Sequence, residues 1–135
     1  MFTYSKLAQA GIAAVSYLAE ISAEHRLAGS GEIAEARELS RVLVAKILTQ
    51  LSAAGLVGGK SGPAGGYQLA RDPARISLLD VVRVFEDVDS SQVMCPFGPH
   101  WCGTGSPCPL HDTFATLRQE VLDRLAREDF SQFVK

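Results

Sequence analysis

Three cysteines fall within fourteen residues of one another: Cys95, Cys102 and Cys108, spaced C-x6-C-x5-C, with His111 adding C-x2-H. Thiolates are soft, strongly donating ligands that suit iron–sulfur clusters and zinc. The residues around them are rich in Gly and Pro, so several sulfurs can converge on one centre without helical constraint. An odd number of clustered cysteines in a reducing compartment points to metal rather than to a structural disulfide. Paired C-x2-C knuckles, the mark of structural zinc sites, are missing, and ferredoxin spacings do not match either. Three thiolates leave one position of a four-ligand site to fill. His111 is nearest in sequence; His100 is another candidate but reads first as a surface or helix-capping residue; a water, a small thiol or a partner subunit's carboxylate would also serve. Two alternatives stay open: a zinc site, or metal-free thiols that sense oxidants by disulfide formation. Trp101, beside Cys102, is either a shield for the site or an ordinary apolar anchor.

This loop, residues 88–110, separates two helical patterns. Before it, Ser77 and Asp80 have capping-box spacing and open a helix through Val81, Val82, Val84 and Phe85. After it, Asp112 or Thr113 can start a last helix in which Phe114, Leu117, Val121 and Leu125 recur every three to four residues. A long amphipathic helix following a compact domain seeks a partner, most simply the same helix of a second copy. Those four residues are the expected dimerisation face.

The front of the chain has a different task. Leu7, Ile12, Val15, Leu18 and Ile21 predict an amphipathic helix over residues 5–21. Residues 26–30 break it; Ser30 is the expected cap of a short second helix reaching about Leu39, and Glu32 sits in its first turn. Ser40 caps a third helix, on which Val44, Ile47, Leu48 and Leu51 form a buried stripe and which Gly55 ends in a left-handed turn. Two short helices joined by a tight turn make a helix-turn-helix. A basic, Gly-rich tip, Gly58-Gly59-Lys60-Ser61-Gly62-Pro63-Ala64-Gly65-Gly66, then joins two β-prone ends as a hairpin, which in this place would be a wing. The full Gly-x-x-x-x-Gly-Lys-Ser/Thr order of a phosphate loop is absent. Ser40, Arg41 and Val42 open the third helix, whose first residues reach base edges in such motifs. Arg41 suits bidentate contact with guanine, while Lys46, Lys60 and Ser61 suit phosphate.

The 135 residues, 47% hydrophobic and 21% charged, fit one globular domain with an appended helix. Residues 1–75 hold eight basic and six acidic residues, net +2, whereas residues 76–135 hold five and nine, net −4; together they make the −2 of the whole chain. That asymmetry suits a DNA-reading half, 1–75, and a cluster-loop and assembly half, 76–135. No apolar run spans a bilayer and the first residues do not read as a secretory signal, so a cytoplasmic location is expected, with no membrane partner. No nucleophile–base pair supports an enzyme, and an electron carrier would have no use for a wing. His25, remote from any cysteine, reads as a solvent-side residue. The expected fold is mainly α with a small β-hairpin: a winged helix-turn-helix plus a long C-terminal dimerisation helix.

With these residues in view, the sequence resembles the IscR/NsrR/RirA group of winged-helix iron–sulfur transcription regulators along nearly its whole length. The resemblance is carried by Ile33-Ala34-Glu35, by the run from Leu48 through Ala54-Gly55-Leu56-Val57, by Gly65-Gly66-Tyr67-Gln68-Leu69, by the run from Ile76 to Val82, and by the three cysteines. It implies a homodimer held by the C-terminal helices on a palindromic double-stranded operator, with a 2Fe–2S or 4Fe–4S cluster on Cys95, Cys102 and Cys108. Cluster loss, oxidation or nitrosylation would then change DNA affinity. His111 matches the histidine that ligates the cluster in the IscR type. The NsrR type uses a carboxylate from the first helix of the other subunit; the matching stretch here, Leu7-Ala8-Gln9-Ala10, has no acid. The first cysteine gap is one residue longer than in the IscR pattern. The cluster loop is expected to set the spacing of the two recognition helices, with the direction of the effect open.

Overall fold

The computed structural model describes residues 5–88 and 106–135. Helix α1, Lys6–Glu20, begins where the Ser5 hydroxyl accepts the Ala8 N–H at 3.1 Å, and it buries Ala8, Ala10, Ala14, Val15, Leu18 and Ala19. His25 follows in a left-handed conformation, exposed to solvent as expected. Helix α2, Ser30–Ala36, differs from the expectation at both ends. Gly29 takes the cap position in extended conformation and Ser30 is already helical. The far end stops short of Leu39 because Glu38 turns left-handed (φ 53°) and the Leu39 N–H reaches back to the Ala34 carbonyl at 2.8 Å. That reversal is the turn of the helix-turn-helix, made without the glycine that usually supplies it.

Helix α3, Arg41–Ala53, is capped by Ser40, whose Oγ accepts the Leu43 N–H at 3.1 Å. It ends at Gly55, φ 79°, with the Gly55 N–H on the Ser52 carbonyl and the Leu56 N–H on the Leu51 carbonyl, both 3.0 Å. This paired closure satisfies carbonyls that a helix end otherwise leaves bare. Strands β1, Val57–Lys60, and β2, Gly66–Leu69, then pair antiparallel, Val57 opposite Leu69 and Lys60 opposite Gly66. The Gly65-Gly66 pair follows from crowding: a β-carbon at Gly65 would stand 2.0 Å from the Lys60 carbonyl oxygen, and one at Gly66 would stand 2.8 Å from the backbone of Ala28. Ala28 itself exchanges both hydrogen bonds with Tyr67, at 2.9 and 2.7 Å, and so backs the hairpin with a third short strand segment. A single residue has no periodicity, so nothing in the sequence announces it.

Helix α4, Leu78–Phe85, opens on the expected capping box, with Asp80 N–H to Ser77 Oγ at 3.0 Å and Ser77 N–H to Asp80 Oδ2 at 2.9 Å. Helix α5, His111–Arg127, begins one residue ahead of the expected Asp112 and packs Leu125 against Leu79 and Val82 of α4. After α5 the chain turns back. The Leu78 N–H meets the Glu128 carbonyl at 2.9 Å and the Phe130 N–H meets the Ile76 carbonyl at 3.2 Å. Phe130 is thereby fully buried in the main core with Val15, Leu18, Ile47, Leu48, Leu51, Ile76 and Val81. This core draws on residues from both halves of the chain. Phe130→Ala removes a fully enclosed ring and is expected to cost about 3–5 kcal/mol in urea unfolding, with the loss of a single cooperative transition marking a core that fails to close.

Candidate nucleic-acid interface and metal loop

The stripe Val44, Ile47, Leu48 and Leu51 is completely buried, so the opposite side of α3 must face solvent. Val42, Ala45, Lys46 and Thr49 lie there, all exposed. Val42 is 83% exposed, the most open large hydrophobic side chain among the described residues. Ser40 uses its oxygen as the helix cap and keeps its proton for an outside acceptor. Arg41 leans toward α2: its guanidinium lies where a β-carbon on Gly31 would be 3.2 Å away. Lys60, at the end of β1, and Ser61, just beyond it, are both exposed on the wing. All six residues expected to meet DNA are therefore accessible or half-committed at most, on two neighbouring elements. Ala45 and Thr49 are additions to that set; the phase of the buried stripe is the signal that locates them.

Behind this face, α2 is fixed to α1 by polar contacts that hydrophobic patterning does not reveal. The Tyr17 hydroxyl donates to Glu32 at 2.8 Å, and Arg26 pairs with the same carboxylate at 2.9 Å. Arg37 donates to Ser16 Oγ at 3.1 Å and to Glu20 at 2.7 Å, with its guanidinium 5.3 Å from the centre of the Tyr17 ring. Lys135 adds a second cation on Glu20. The bond from Arg26 holds the Glu32 carboxyl below the usual range, and Lys135 followed by Arg37 does the same for Glu20. Burial, then the bond to Glu32, pushes the Tyr17 phenol upward.

The metal loop is reached only at its far end. Cys95 and Cys102, with His100 and Trp101, lie outside the described residues. Cys108 is 5% exposed, and the His111 N–H donates to its carbonyl at 3.0 Å, so these two expected ligands share the turn that opens α5. Among the described residues no group of three or more His, Cys, Asp and Glu stands together. One buried thiol and one half-buried imidazole three residues apart are donors a soft metal accepts. On the expected dimerisation face, Leu117 is 39% exposed, Phe114 and Val121 are half-buried, and Leu125 is buried within its own chain. No helix among the described residues is long and apolar enough to cross a membrane.

A capped recognition helix, an exposed outer face and a basic hairpin directly after it define a winged-helix DNA-binding regulator. The chain belongs to the Rrf2 family, whose model, described as an iron-dependent transcriptional regulator, matches residues 4–135. A protein of Aquifex aeolicus named as an HTH-type transcriptional regulator is 31% identical over 122 residues, 89% of this chain and 83% of that one. The HTH-type transcriptional regulator IscR of Xenorhabdus nematophila is 30% identical over 105 residues, 77% of this chain and 62% of its own length. Among solved structures, CymR, named as the global cysteine regulator of B. subtilis, superposes with TM-score 0.79 at 22% identity over all of both chains. That likeness speaks to the fold.

The polar contacts behind α2 carry a sign for acid stability. Because the folded-state values of Glu20 and Glu32 are lowered, their contribution is complete above the unfolded glutamate value of about 4.3 and is lost as pH falls through the folded values. The Tm gap between the wild type and a Glu20→Gln/Glu32→Gln variant is expected to be widest near neutral pH and to close below about pH 4. A gap independent of pH in thermal melts would remove the two carboxylates from the account.

Proposed function

We propose that this regulator controls its affinity for operator DNA through an iron–sulfur cluster held by Cys95, Cys102, Cys108 and His111. It would work as a homodimer on a palindromic site, with residues 1–75 reading DNA and residues 76–135 carrying the cluster loop and the dimer helix. The observation that carries the reading is the placement of Cys108 and His111 at the root of α5. Arg118 of α5 donates to the Val88 carbonyl, at the entrance of the same loop, so α5 braces the segment from both ends. A cluster bound there would supply a centre sensitive to oxidants, nitric oxide and iron supply. The chain's own residues do the rest. Leu125 ties α5 to Leu79 and Val82, and Phe130 carries the chain beyond α5 into the core beneath α1. A change in how the loop seats α5 would reach the recognition helix through packed side chains, which is the differential contact that coupling requires. For a partner subunit, Leu117 and Leu110 are the exposed apolar residues on and beside α5.

A metal-free thiol switch is the competing reading. Sensor thiols are solvent-accessible so that oxidants reach them, and the burial of Cys108 favours a ligand over such a thiol. Anaerobic purification decides between them. Visible colour with near-equal iron and acid-labile sulfide, lost in Cys108→Ala, is expected. Colourless wild type that stays iron-free after anaerobic reconstitution, or carries zinc, overturns the cluster. The DNA half has its own test. Lys60→Ala is expected to weaken binding to all duplexes alike and to lower the slope of log K against log salt by about two for a dimer. An unchanged slope would take the wing off the phosphate backbone.

A further inference from the structure

The outer face of α3 is unusual for a surface meant to meet polar base edges. Val42, Ala45 and Thr49, at spacing i, i+3 and i+7, share that side of the helix. Thr49 donates its hydroxyl proton to the Ala45 carbonyl at 3.0 Å, so it has no proton left to offer a base. Lys46 is the exposed donor beside them, Ser40 offers its proton only from the cap before the helix, and Arg41 lies off toward α2. The middle of the face is thus aliphatic, with the isopropyl group of Val42 83% exposed at its leading end.

A single exposed valine means little by itself, since folded proteins scatter such residues widely. On a helix that enters a major groove it has a definite complement. Of the groups displayed there, the 5-methyl of thymine is the one apolar group that projects from the base edge; apart from flat C–H edges such as that of cytosine, the rest are amino, carbonyl and ring-nitrogen groups. Pressing an isopropyl group onto one of those would strip its water without returning a hydrogen bond. We propose that Val42, with Ala45 beside it, reads the 5-methyl group of a thymine in each operator half-site. The inference rests on the operator-binding reading above and adds to it the identity of one base pair. Val42 touches no core residue cluster, so its truncation leaves the fold in place.

The experiment uses the full chain. A preferred duplex is selected from random-sequence DNA, and each thymine of its half-sites is replaced singly by deoxyuridine, which lacks the methyl. Affinity is read by fluorescence anisotropy for the wild type and for Val42→Ala. At one thymine position per half-site, deoxyuridine is expected to weaken the wild type about fourfold, the loss of one buried methyl, and to leave Val42→Ala nearly unaffected. If every replacement weakens both proteins equally, Val42 does not read a methyl, although the operator reading stands. If no sequence is enriched and the wild type binds all duplexes alike, the operator reading fails and this inference falls with it.

Discussion

A β-carbon on Gly11 would stand 2.4 Å from the ring of Phe85, and Ala8, Ala10, Ala14 and Ala19 are buried along the same helix. These small side chains let α1 take neighbours on several sides at once: α2, α3, α4 and the C-terminal turn all pack against it. The distance between packed helices follows the size of the side chains at the contact. The position of α3 is therefore set by how closely α1 is approached, and so is the direction in which Val42 and Lys46 point. Every feature of the exposed side of α3 inherits that constraint. The polar contacts of Arg37 and Tyr17 then fix the rotation of α2, which apolar packing of a seven-residue helix would leave loosely defined.

The path of the chain after α5 has a mechanical consequence. A helix that simply extended from the domain could move without disturbing it. Here the chain leaves through α4, comes back through Cys108 to run along α5, and returns to place Phe130 in the core with α1 and α3 residues. Interiors packed at near-crystalline density do not deform smoothly, so the burial of Phe130 ties the far end of α5 to the packing of the core. Cys108 and His111 occupy one end and Phe130 lies just past the other. A regulator needs such a connection, and it arises from two short backbone pairings, 76–78 with 128–130, rather than from any special motif.

Those pairings also mark where the sequence stops being readable. Long periodic elements were legible because burial imposes their spacing: the stripe of α3, the Ser40 cap, the Ser77 and Asp80 capping box, the Gly55 ending and the hairpin all appear as expected. The exposure of Val42 and Lys46 followed from the same phase. What escaped was either too short to have a period or depended on residues far apart in the chain. Ala28 against Tyr67, Phe130 against Ile76, and the pairing of Glu20 with Arg37 are all of this kind. The missed end of α2 has another cause. A left-handed Glu38 contradicts its local preference and is held by the packing of Ile33 and Ala34 on one side and α3 on the other. For the metal site, residue type and spacing carry the reading, with only Cys108 and His111 placed among the described residues.

The charge distribution and the aliphatic face of α3 belong to one logic. In the proposed interface Arg41, Lys46 and Lys60 are the cations, and a chain of net charge −2 built this way would offer few phosphate contacts. Each phosphate contact strengthens binding to every sequence equally, so a protein rich in them is held on non-specific DNA. With few of them the affinity for random sequence is low, and a modest number of base-edge contacts yields a useful ratio of specific to non-specific binding. An apolar contact fits this arrangement because it gains nothing from a phosphate and loses when set against a polar base edge. A homodimer of the kind proposed would also depend heavily on the relative placement of its two recognition helices, since no large electrostatic term would compensate for a misaligned one. In that arrangement small movements of α5 would be enough to matter. Weak general attraction and sensitivity to geometry are the two properties that the proposed control through Cys95, Cys102 and Cys108 would draw on.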